Sequence, residues 1–163
     1  MARSLCEVFE HPLVRWGVGL IALFWFFVLG AAFVPPIQAL AGILPDLWGF
    51  RFDPDRFLEF ATALGEEGVR LYRLFLYADV GFAVLYGIAF AGWLCHFYRS
   101  WKYAIWPLVA AFMDMAENAL FLLNLERPEP SLLTLAGYAS VFKWIFLIYT
   151  GFALLLGFYY RRR

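Results

Sequence analysis

The sequence predicts an all-α fold: a transmembrane four-helix bundle with a short amphipathic interfacial helix between spans 1 and 2. Three observations predict it. Apolar residues make up 64% of the 163-residue chain, and the mean hydropathy is +0.71, well above that of a soluble domain. Four apolar stretches are each long enough to cross about 30 Å of hydrocarbon as a helix, the structure that satisfies its own backbone in lipid. The only long connection, residues 35–70, has a helical periodicity of its own. The whole chain, 1–163, reads as a single membrane domain. Lys and Arg balance Asp and Glu at 13 each, so the charge gives no basis for nucleic-acid binding.

The first span is expected over about 13–34, ending at Pro35-Pro36. Arg3 and Arg15 before an apolar core, with Gly30-Ala31-Ala32 after it, have the outline of a signal peptide, but the core is too long, so a retained span is expected. The second span is expected over about 71–95. The third covers about 103–125 and stops before Pro128. The fourth covers about 132–160 and ends at Arg161, Arg162 and Arg163.

Within the connection, "FDPDRFLEFATALGEEG" carries an N-cap signal at Asp53, a proline at the first helical position, Pro54, and a stop at Gly65. Phe57, Leu58, Ala61 and Leu64 share one face, which predicts an amphipathic helix over about 54–64 on the outer membrane surface. It serves either as a packed connector or as a lid over whatever lies between the spans. Arg3, Arg15, Arg99, Lys102 and the terminal arginines outnumber Arg51, Arg56, Arg70, Arg73 and Arg127 on the other side. That bias favours both termini in the cytoplasm. Cys6 and Cys95 match no metal-ligand spacing and are expected to be free thiols.

The functional lead is polar residues inside spans. "AFMDMAENALFLL" places Asp114, Glu117 and Asn118 at i, i+3 and i+4, hence on one helix face. Asp79 and Tyr86 lie in the second span, on a seven-residue repeat with Tyr72. Ser140, Lys143 and Thr150 form a stripe in the fourth, and Asn124 extends the stripe of the third. At about 1.5 Å of rise per residue, Asp79, Asp114, Glu117 and Lys143 fall within one layer of the bilayer. Such groups face the bundle interior or a cavity, because exposing them to lipid is costly. Three carboxylates against one ammonium call for a shared proton or a bound cation.

These residues suggest a site that binds or transforms an apolar or lipid-like molecule by acid–base chemistry. Asp79, Asp114, Glu117 and Lys143 are the candidate catalytic groups. Asn118, Tyr86, Ser140, Thr150, Phe82 and Phe121 are the candidate ligand contacts. The alternative is inter-helix glue in an accessory subunit of a larger membrane complex. A third option is proton-coupled transport by a homo-oligomer, although no internal repeat points to it. Membrane lipids, a hydrophobic small molecule and a membrane-protein partner are the expected contacts. No metal site is favoured, since Lys143 already brings positive charge to the layer, and no motif assigns a cofactor.

The pattern "LFLYADVGFAVLYG", "MDMAENALFLL", "ASVFKWIFLIYT" is similar to that of uncharacterised four-span bacterial integral membrane proteins, over most of the chain. The resemblance implies the fold and the bacterial inner membrane, and no activity. Sterol-isomerase-like tetraspan families also place acids between spans, but this chain departs from their motifs, so no roles carry over.

Overall fold

The computed structural model describes residues 2–9 and 11–161, and among these all regular structure is helical. Arg162 and Arg163, and the side chain of Arg3, which enter the charge count above, lie outside the described part. A short α1 (Ala2–Phe9) precedes four helices long and apolar enough to cross a membrane. These are α2 (Leu13–Ala41), α3 (Pro54–Tyr98), α4 (Trp101–Glu126) and α5 (Pro130–Arg161). The outward faces carry Phe24, Phe27, Phe152 and Leu155, all exposed, as suits contact with lipid.

The first span does not stop at Pro35-Pro36. It continues to Ala41, because the two prolines occupy the first turn of its final segment, Val34–Ala41. A proline there forfeits little intrahelical bonding. The preceding turn, Leu29–Phe33, is π-helical, a local widening that accommodates such an irregularity. Gly42, at φ 81°, ends the helix and donates its N–H to the Gln38 carbonyl at 2.9 Å. A residue with a Cβ would be strained at that angle.

The interfacial helix forms as the sequence predicts. Asp53 accepts from the Asp55 N–H at 3.0 Å, Pro54 opens the helix, and Gly65 (φ 62°, ψ −175°) breaks it from the span that follows in α3. Its face is buried rather than laid on a surface. Phe57, Phe60 and Leu64 join Tyr72, Phe75, Phe121 and Leu133 in the main core, so this arm is a packed connector.

α3, α4 and α5 pack against one another, whereas α2 packs along α3. Trp25 of α2 donates its indole N–H to the Ala78 carbonyl at 2.9 Å. α3 and α4 cross closely where a Cβ on Gly87 would stand 2.8 Å from the Ala111 Cβ. Small residues permit such an approach between spans. At the end of α3, the cysteines are not free thiols. Cys6 of α1 and Cys95 form a disulfide across 89 residues of sequence, surrounded by Ala91 and Ala104. The pairing joins two segments far apart in the chain, which residue spacing alone does not reveal.

Candidate functional site

The close α3–α4 crossing brings the polar stripes of three helices together. Tyr86 Oη donates to Asp114 Oδ2 at 2.9 Å, and Lys143 Nζ donates to Asp114 Oδ1 at 3.0 Å. Lys143 also forms an ion pair with Glu117. Beside this group, Asn118 Nδ2 donates to Asp79 Oδ2 at 2.9 Å. Asp79, Asp114, Glu117, Asn118 and Lys143 are all buried. A lysine held between two carboxylates in such surroundings offsets its desolvation only through close, well-directed contacts. Ser140, one turn before Lys143 on α5, is buried with its hydroxyl beside Glu117.

The cluster opens onto a cavity of about 470 Å³ between α2 and α5, with α3 as its floor. Asp79, Tyr86, Asp114 and Lys143 line its polar wall, and Phe26, Leu29, Phe75, Phe82, Trp144 and Leu147 are among its apolar walls. A second cavity of about 500 Å³ follows α2 and α3 toward Arg15 and Trp93. The two share Phe26, Phe82, Tyr86 and Phe90, so they adjoin as an apolar groove along α3.

The remaining candidates divide. Phe82 lines the groove and packs edge-on against Tyr86, with ring centroids 5.3 Å apart. Phe121 is fully buried elsewhere, stacked on Phe57 (5.0 Å) and Phe52 (5.6 Å), where it seats the interfacial helix. Thr150 is buried two turns beyond Lys143, away from the residues that line the cavity. Glu117 and Asn118 stand behind Lys143 and Asp79, not on the cavity wall. Asn124 belongs to the α4–α5 turn. It donates to the Leu120 carbonyl and accepts from the Glu129 N–H, both at 2.8 Å.

One site residue escaped the sequence reading. Asp46 sits in a short 3₁₀ turn, Pro45–Leu47, that folds over one end of the cavity. It is only 8% exposed, and neither carboxylate oxygen has a hydrogen-bond partner beyond its own backbone. Burial, and next the charge of Glu117, push its carboxyl up to about 7. The turn is held in place by its neighbours. Trp48 donates its indole N–H to the Ile43 carbonyl at 3.1 Å, and the Arg56 guanidinium stacks 4.4 Å from the Trp48 ring centroid. Phe52 packs onto Gly137 so closely that a Cβ there would stand 2.7 Å from the ring. The signal for Asp46 was a lone acid in the apolar run "ILPDLWGF".

Fold and site together define the class: an all-helical membrane bundle whose buried carboxylate–lysine cluster faces an apolar cavity. Within that class, the chain matches no protein-family model, no curated protein and no solved structure.

Proposed function

We propose that the protein binds an apolar or lipid-like molecule between α2 and α5 and presents acid–base groups to its polar end. The observation that carries this reading is the junction of cluster and cavity. Helix-to-helix glue needs no void, yet Asp79, Asp114 and Lys143 border about 470 Å³ of space with predominantly apolar walls. In this reading Asp79, oriented by Asn118, exchanges a proton with the ligand. Lys143, held by Asp114 and Glu117, keeps the polar wall in place beside it.

Native mass spectrometry with lipid analysis tests the reading on gently purified protein. A defined small molecule should accompany the wild type and be lost from Lys143→Met and from Gly30→Phe. Gly30 is exposed at the edge of the cavity, and a Cβ there meets nothing within 4 Å, so the substitution is expected to obstruct the cavity with a ring. Identical bulk lipid in all three would favour the accessory-subunit reading. The observation behind that second reading is the contacts that Asp114, Lys143 and Glu117 make with one another across two helices.

From the Lys and Arg bias and the resemblance to four-span bacterial proteins, we propose the bacterial inner membrane with both termini cytoplasmic. The Cys6–Cys95 disulfide favours the opposite orientation, since such bonds persist in oxidising compartments. A fusion reporter at the C-terminus decides between them.

A further inference from the structure

We propose that the ligand is a cationic amphiphile, with an amine or ammonium head against Asp46 and Asp79 and an alkyl tail along the α2–α3 groove. This rests on the ligand reading above and adds the chemical class of the head.

The case begins with which polar groups on the cavity wall remain open. Tyr86 donates its hydroxyl hydrogen bond to Asp114. Lys143 is engaged by Asp114 and Glu117, so its charge is already countered within the protein. Asp46 has two buried oxygens with no partner beyond its own backbone, and when the group is ionised both are acceptors. Among the described residues at this end of the groove, the carboxyl groups of Asp46, Asp79, Asp114 and Glu117 face one ammonium, Lys143, while Arg15 lies at the far end. An anionic head would meet that excess of carboxylates in a poorly screened setting, whereas a cation would be attracted by it.

Two further features fit an organic cation. The rings of Phe75, Phe82 and Trp144 border the same space, and aromatic faces attract ammonium groups. Among the described residues, no three His, Cys, Asp or Glu side chains converge as metal ligands would. The groove continues from Phe75 to Trp93 along α3, roughly 27 Å of helix at 1.5 Å per residue, which suits a long chain.

The test uses the full-length protein in a nonionic maltoside. It is offered equal amounts of hexadecylammonium, hexadecyl sulfate and hexadecanol, and the retained probe is counted by native mass spectrometry. One charge-assisted contact implies that the wild type retains the ammonium about tenfold over the other two. Asp46→Asn should remove most of that preference while retaining hexadecanol as the wild type does. Equal retention of the three probes, a preference for the sulfate, or an undiminished ammonium preference in Asp46→Asn would overturn the cationic assignment. If Gly30→Phe still released the probes, the lipid-ligand reading would survive that failure. Retention unchanged by Gly30→Phe, or no retention by the wild type, would overturn both. The ranking of probes on the wild type is decisive even if a variant fails to fold.

Discussion

Tyr86 and Asp114 hydrogen-bond across the α3–α4 crossing at 2.9 Å, and they can do so because the next residue on α3, Gly87, lies against Ala111. The backbone approach and the polar contact depend on each other. Gly87→Ala would place a Cβ 2.8 Å from that of Ala111, forcing the helices apart. Overpacking of this kind costs about 1–3 kcal/mol, so the thermal midpoint in detergent should fall. Gly87→Ala combined with Ala111→Gly restores the space and should recover most of the loss. A double variant no more stable than the single one would show that this contact does not set the crossing.

Among the described residues, Lys143 is the cation that pairs with both Asp114 and Glu117, and the three should respond as a unit. Lys143→Met leaves two buried carboxylates facing each other. Removing one partner of a buried pair costs about 3–5 kcal/mol. Glu117→Gln alone still leaves the Lys143–Asp114 bond and should cost less. The combination of Lys143→Met with Glu117→Gln should be more stable than Lys143→Met alone, a non-additivity that a double-mutant cycle reads directly. Simple additivity would mean the groups are not energetically joined.

The four spans, the helix over 54–64 and the joining of Asp79, Asp114, Glu117, Asn118 and Lys143 were legible in the sequence. Hydrophobic length, capping residues and helical spacing are local properties, and a charge in a span has few places to point. Asp46 was not singled out because it lies in a connection, where an acid is ordinarily solvated. Only the folding of the turn over the cavity buries it. Phe82 and Phe121 look alike in apolar helices, and the packing of neighbouring elements alone sends one to the groove and the other to the core. The proline pair read as a stop because π-helical turns, which let the helix run on to Ala41, leave no pattern in composition.

Asp46 should impose a pH dependence on stability. Its carboxyl is raised from 3.8 to about 7 in the folded protein. Between those values the folded state holds a proton that the unfolded chain releases, so stability falls as pH rises from about 4 to about 7 and then levels off. The full effect is at most about 4 kcal/mol. Asp46→Asn removes this titration. The difference in thermal midpoint, wild type minus variant, should therefore decline across that window and stay flat above it. A difference independent of pH would show that Asp46 is ionised throughout. A bound alkylammonium favours the ionised form and should flatten the decline.

The disulfide ties α1 to the end of α3 and closes a loop of 89 residues. A cross-link of this kind restricts the unfolded chain and typically contributes about 2–4 kcal/mol. Cys6 and Cys95 are packed with Ala91 and Ala104, apart from the residues that line the 470 Å³ cavity. Loss of the bond should therefore act on stability and leave probe retention intact. Alkylation of unreduced cell extracts, followed by a gel shift, shows whether the bond exists in the cell. A bonded pair assigns the termini to the oxidising side of the membrane, and free thiols assign them to the cytoplasm. In the purified protein, reduction and Cys6→Ala should lower the thermal midpoint by similar amounts, with no further loss when the variant is reduced. If reduction lowers the midpoint of Cys6→Ala as much as that of the wild type, the effect does not come from this bond.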